Sequence, residues 1–218
     1  MIEALIGFAG VIVGSVITIS RDSWSLWRER RKDGSYSAIR LICILEEYAN
    51  DCVDVAGDDG TLHGMPGGRT EHGEDYCTPQ VEVPKPLEFP PDIKWRSIDE
   101  GVMHRILALP NKARSTNRYI HQSTEFASPP NYDDLFEARQ EGYARLGVDA
   151  LSIVEELRKR HGISVQSRTA LGFDWDSKLH LEGIIEQFEK KAAELEERRA
   201  ALQAERKKAL KESRGADQ

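Results

Sequence analysis

The first 20 residues are apolar almost without interruption: 13 of them are Met, Ile, Leu, Val, Phe or Ala, and Glu3 is the only charged side chain. Residues 4–20 carry no charge at all. At ~1.5 Å per residue they make about 25 Å of helix, the short end of what crosses a ~30 Å hydrocarbon core. Trp24 and Trp27 follow at a spacing suited to the headgroup region, and Arg21 can snorkel outward. A cleaved signal peptide needs a basic leader, where this chain has Glu3. A buried core helix would not stop abruptly at RDSWSLWRERRK. The pattern predicts a transmembrane helix.

Beyond residue 34 the apolar positions recur at three and four. Leu41, Leu45, Tyr48, Cys52 and Val55 form one stripe, flanked by Ile42, Ala49 and Val53, with Glu46, Glu47, Asn50, Asp51 and Asp54 on the other side. The basic residues 21–32 continue the membrane helix, a break is expected at Asp33-Gly34, and Ser35 is expected to cap a new helix. Gly57 is expected to end it in the left-handed conformation. A second amphipathic helix carries Ile98, Val102, Ile106, Leu109, Ala113 and Ile120, opened by a Ser97-x-x-Glu100 capping box and kinked at Pro110. A third, after Pro129-Pro130, is expected to use Asn131 as its cap and Asp133 and Asp134 in its first turn. Its stripe is Leu135, Ala138, Gly142, Leu146, Ala150, Ile153 and Leu157, widened by Phe136, Tyr143 and Val154. Arg158, Lys159, Arg160 and His161 before Gly162 form a helix-ending signature. In the last helix Leu181, Phe188, Leu195, Leu202 and Ala209 repeat every seven residues, with Ile184, Ile185 and Ala192 beside them, but Arg199 and Arg206 break the second row. This helix is expected to dock at its start and project beyond Leu195.

The fold class is therefore all-α: an N-terminal transmembrane helix, a small antiparallel helical bundle with a long Gly/Pro-rich loop, and an extended, partly coiled-coil C-terminal helix. The boundaries are 1–20 for the anchor and 21–34 for a basic juxtamembrane segment. The bundle takes 35–178, including the acidic loop 57–96, and 179–218 form a charged helix and tail. Residues 57–77 hold six glycines, and five prolines at 79, 84, 86, 90 and 91 make an extended strap. On it Val81, Val83, Leu87 and Phe89 alternate and face the bundle.

Charge then adds an orientation. Arg21, Arg28, Arg30, Arg31 and Lys32 follow the apolar run, so the positive-inside bias places the C-terminal part in the cytoplasm, the N-terminus outside and the protein in the inner membrane. Cys43, Cys52 and Cys77 are odd in number and have no framework spacing, as expected of reduced thiols; Cys43 and Cys52 read as small core residues. Gly10 and Gly14 make a G-x-x-x-G, which brings self-association within the bilayer into view.

Candidate chemistry is thin. Asp58, Asp59, His63, Glu71, His72, Glu74, Asp75 and Cys77 supply metal-ligand types, but their spacing, with Cys52, matches no metal motif and reads as a solvated acidic loop. Glu100/His104 and Asp176/His180 are four apart, not the Glu-x-x-His of a di-iron bundle. No phosphate-binding loop, nucleophile elbow or dinucleotide fingerprint occurs. No catalytic, cofactor-binding or metal residue is assigned, and the chain is not expected to be an enzyme. Net charge −7 argues against nucleic acid, and so do Arg206, Lys207, Lys208, Lys211 and Arg214, which have no aromatic residues interleaved.

Leu45-Glu46-Glu47-Tyr48, the run from Phe89 to Ser97 with Pro90-Pro91-Asp92-Ile93-Lys94-Trp95, Leu107-Ala108-Leu109-Pro110-Asn111 and Phe173-Asp174-Trp175-Asp176 behind a single span make the chain resemble a group of uncharacterised bacterial proteins. These have one N-terminal span and a helical cytoplasmic domain. The resemblance implies a membrane-anchored helical fold and no activity. The expected role is a single-pass interaction or scaffolding protein with the bilayer and an unknown protein as partners. Two alternatives stand beside it: a membrane-tethered metal-dependent enzyme using His63, His72 and Asp75, and a periplasmic tether of the phage-lysis type if the topology is reversed.

Overall fold

The stripe of Leu41, Leu45, Tyr48, Cys52 and Val55 is buried along one side of a single long helix, α1 (Ile2–Ala56). The structure, a computed structural model, describes the backbone of residues 2–164 and 176–216. It describes side chains at 24, 28, 29, 31–164 and 176–207. Among the described residues the protein is mostly helical, with four α-helices and only short antiparallel strand pairs. Among the described residues no helix is long and apolar enough to cross a membrane. The apolar run 4–20, with Gly10 and Gly14, lies outside the residues whose side chains are described.

The expected break at Asp33-Gly34 does not occur. Gly34 stays helical and buried, and its missing side chain allows a close approach. A Cβ there would stand 3.1 Å from His161 Cε1 and 3.2 Å from the Ser97 carbonyl oxygen. Ser35 is not a cap; its hydroxyl donates to the Arg31 carbonyl at 3.1 Å, the backward bond of a mid-helix serine. Nor does Gly57 adopt a positive φ. The chain turns three residues later, at Gly60 with φ +78°, where a Cβ would fall 2.2 Å from the Phe136 ring. Cys52 is buried as expected, whereas Cys43 is exposed.

The Gly-rich segment folds as two small hairpins: β1 (Thr61–Leu62) with β2 (Met65–Pro66), and β3 (Gly68–Arg69) with β4 (Asp75–Tyr76). The proline strap then runs back along the bundle. Val81, Leu87 and Phe89 pack on the core, while Val83 faces solvent. A 3-10 turn at Trp95–Ser97 leads into α2 (Glu100–Thr124). The cap of α2 is Asp99, not Ser97: its carboxylate accepts from the N–H groups of Gly101 and Val102 at 3.0 and 3.3 Å. The Ser97 hydroxyl is spent on the Lys94 carbonyl at 2.6 Å. Helix α2 continues through Pro110 as one element.

The cap of α3 (Asp133–His161) is Tyr132 in the left-handed region, with no side-chain bond to the helix, so Asn131 does not fill that role. At its other end Gly162, φ +65°, closes the helix as the sequence predicts. Val102, Ile106, Leu109 and Ile120 of α2 meet Leu146, Ile153, Val154 and Leu157 of α3 over the α1 stripe. Full burial of each large aliphatic stabilises the fold by roughly 1.5–3 kcal/mol. The start of α4 (Ser177–Ala216) docks through Leu181, which is buried with Ala56 and Ala144.

Side-chain pairs fix the directions. Helix α3 runs antiparallel to α1, bringing His161 to Gly34, Gly147 to Cys52 and Arg139 to Asp58. It is antiparallel to α2 through Arg160–Asp99, Arg105–Glu156 and Lys112–Asp149. It is antiparallel to α4 through Lys178–Glu155, Arg145–Glu189 and Lys191–Glu137. The α1 extension therefore leaves the bundle at one pole and the α4 extension at the other. Residues 191–207 of α4 are exposed throughout, as their fading heptad predicts.

Candidate functional site

The pole where α1 leaves the bundle is basic. Between α1, the 3-10 turn and the end of α3 lies a pocket of about 410 Å³ lined by Arg31, Ser35, Arg96, Ser97, Arg160 and His161, with Gly34 also contributing to its wall. Each side chain arrives for a local reason. Arg31 and Ser35 are four apart on α1, hence on one face. Ser97 and Arg96 sit on a turn held by the Ser97 N–H bond to the Lys94 carbonyl at 2.8 Å. Arg160 and His161 occupy the last turn of α3, where cations complement the helix dipole. Arg160 is held by Asp99 at 2.8 Å and Glu156 at 2.7 Å. His161 is half-buried, and burial, then the Arg160 charge, lowers its pKa below the usual 6.5.

That shift has a testable consequence. A histidine whose folded-state pKa is depressed favours the fold while neutral, so its contribution is complete above about pH 6.5 and is lost as the pH falls through the folded-state value. Between pH 7.5 and 5 the wild-type Tm is expected to drop further than that of His161→Gln. Parallel curves would mean that His161 titrates normally.

The opposite pole is acidic and is built on Asp58. Its carboxylate is buried against Arg139 at 3.2 Å and accepts from the N–H groups of Gly60, Gln80 and Val81 at 3.0, 3.0 and 3.1 Å. Arg139 also donates to the Val81 carbonyl at 2.7 Å, and Gln140 to the Asp58 carbonyl at 3.1 Å. Loop, strap and α3 are thereby tied at one point. Around it Asp51 is raised in pKa by burial and by neighbouring Glu47 and Asp54, with Lys85 opposing.

The residues proposed for a metal-dependent activity do not converge. His63 lies in the turn of the first hairpin and His72 in that of the second, both exposed, and Asp75 pairs with Arg69 at 2.9 Å. Asp59 is bound to Thr61 at 2.7 Å, which lowers its pKa. Among the described residues no group of three His, Cys, Asp or Glu side chains is placed to hold a metal ion. A shallow depression of about 500 Å³ between α2 and α3 is lined in part by Gly142 and Thr116 and bordered by the paired Lys112 and Asp149.

The sequence reads Arg160 and His161 as part of a helix end and Arg96 as the last residue of the acidic loop, and does not show that they meet Arg31 and Ser35. A basic helix end paired with a second basic run is the only signal the chain gives of it. Comparison with known proteins yields no match to a family model, a curated protein or a solved structure.

Proposed function

We propose that this protein is a membrane-anchored, non-catalytic scaffolding module, with residues 4–20 as a single span, its N-terminus outside and its bundle in the cytoplasm. One observation carries the reading: the helix that bears the apolar run is the same helix whose later turns form the core of the bundle. An anchor built this way holds the bundle in a set orientation. The basic pole then faces the bilayer, where each cation near an anionic surface is worth ~1 kcal/mol. The acidic loop and the exposed part of α4 face away and offer the contact surface for a protein partner. Pairing of two spans through Gly10 and Gly14 would double that surface.

The experiment compares the full chain with one lacking residues 1–20. The full chain is expected to stay in the membrane pellet after alkaline carbonate, and the shortened chain to stay in the supernatant with its helical signal reduced only by the deleted turns of α1. A full chain released by carbonate, or a shortened chain that unfolds, overturns the proposal. Exposed Cys43 reports orientation. An impermeant maleimide is expected to label it only after lysis, while buried Cys52, its thiol pKa pushed up mainly by burial, stays unreactive.

A further inference from the structure

We infer that the pocket at the basic pole is a binding site for a phosphomonoester, formed where Arg31, Ser35, Arg96, Ser97, Arg160 and His161 converge. Its lining holds three guanidinium groups, two hydroxyls and an imidazole, and no carboxylate. The carboxylates of Asp99 and Glu156 engage Arg160 from outside that lining. Arg96 makes no ion pair with a described residue. Guanidinium forks match the oxygens of a phosphate and bind it through two parallel bonds, which a point-charge ammonium does not do. A phosphomonoester carries about −1.5 to −2 charges near pH 7, so it gains most from several cations arranged around one cavity. At about 410 Å³ the pocket is larger than a phosphate alone and leaves room for the alcohol it esterifies.

The site is also shaped for close approach. Gly34 has no side chain to intrude, and a Cβ there would press on His161 and the Ser97 carbonyl. Both serine hydroxyls donate to backbone carbonyls one turn or less away, and rotation toward an incoming oxygen exchanges that bond for one to the phosphate. The charged groups that line the pocket with His161 are Arg31 on α1, Arg96 on the turn and Arg160 on α3, and Asp99 before α2 and Glu156 on α3 hold Arg160. A bound dianion among them opposes the lowering of the His161 pKa by Arg160.

Two sources present this chemistry: a lipid headgroup ending in a phosphomonoester, and a soluble phosphate. Arg31 lies four residues past Trp27, about 6 Å along the helix, so a headgroup is within reach if residues 4–20 span the bilayer. The lipid source rests on that reading; the soluble source does not.

The test follows the His161 ring signals of the full chain by NMR in two arms. In mild detergent the probe is inorganic phosphate. In phosphatidylcholine nanodiscs the probe is phosphatidic acid, with phosphatidylglycerol, a phosphodiester, as comparison. At least one probe is expected to shift the His161 signals saturably and raise its pKa, with phosphatidic acid acting where phosphatidylglycerol does not. Arg96→Gln is expected to weaken binding at least 10-fold, and Arg118→Gln, the same charge removed from an exposed site on α2, less than 2-fold. Shifts with phosphate alone assign the soluble source, and shifts with phosphatidic acid alone assign the lipid. Equal losses in the two variants, or no shift in either arm, overturn the site. A chain that fails to insert into nanodiscs refutes the anchor and leaves the phosphate arm to decide the pocket.

Discussion

Replacing Arg139 by methionine is expected to destabilise the fold by about 3–5 kcal/mol, the range for removing one partner of a buried ion pair. The side chains of Arg139 and Asp58 are 7% and 1% exposed, so neither charge is recovered by water when the other is removed. Arg139 also bonds to the Val81 carbonyl, and that acceptor would lose its partner. Two features set the value toward the low end. Asp58 retains three backbone N–H donors, and the Arg139 Nε, buried without a partner among the described residues, would no longer carry its own penalty. Asp58→Ala is expected to cost at least as much, because it strands Arg139 and frees those three donors together. Urea unfolding of the two single variants and the double variant gives the coupling. The double variant is expected to lose less than the sum by more than ~1 kcal/mol, since no charge is then buried alone. Additive losses, or a cost below ~1 kcal/mol for Arg139→Met, would mean that the acidic pole is held by other contacts.

The second large effect is expected where α4 docks. Leu181 is fully buried against Ala56 and Ala144, and Leu181→Ala removes the main apolar contact of a helix whose later turns are exposed. A buried Leu→Ala change costs about 2–5 kcal/mol. Here the loss falls on docking rather than on the whole fold, because α1, α2 and α3 share a core that does not include Leu181. Amide exchange over residues 177–190 is therefore expected to accelerate by at least ~30-fold, the equivalent of 2 kcal/mol, while the buried amides of α1 keep their rates. Gly147 is the socket: a Cβ there would stand 2.6 Å from Leu181 Cδ1 and 3.1 Å from Cys52 Cβ. Gly147→Leu is expected to expel α4 as well. Gly147→Ala combined with Leu181→Ala should exchange more slowly than Leu181→Ala alone, because the new methyl fills part of the space. Uniform acceleration across all helices would show that α4 is integral to the core.

Most of the packing of the three core helices was legible in the sequence. Most residues of the α1, α2 and α3 stripes are buried, with Ala113, Leu135 and Gly142 only partly so, because a 3.6-residue period with polar residues opposite leaves one face to bury. The Gly162 end of α3 and the projecting α4 were legible for the same local reason. The helix termini were read less well. Ser35, Ser97 and Asn131 have the chemistry of caps, yet Ser35 lies inside a helix, Asp99 supplants Ser97, and left-handed Tyr132 takes the place of Asn131. Capping offers about 1 kcal/mol, which the burial of a few side chains outweighs. Gly34 shows the same contest: by propensity it interrupts a helix, and by packing it is where two neighbours need the space.

The candidate site was hidden for a different reason. Arg31, Arg96 and Arg160 stand about 65 residues apart along the chain, and each has a local explanation as topology, loop end or helix end. Only the antiparallel register of α1 and α3 brings them to one corner, and only the turn at Trp95–Ser97 carries Arg96 there. Asp58 is similar: in sequence it belongs to an acidic run, and in the fold it is the buried knot of the loop. The sequence by itself determined the helices, their buried faces and the apolar run at the start, since these follow from side chains a few residues apart. The tertiary structure alone decided that one helix joins that run to the core, that the two poles differ in charge, and that a cationic pocket lies at one of them. Those properties depend on which distant residues become neighbours, and that is set by packing over the whole bundle rather than by any local pattern.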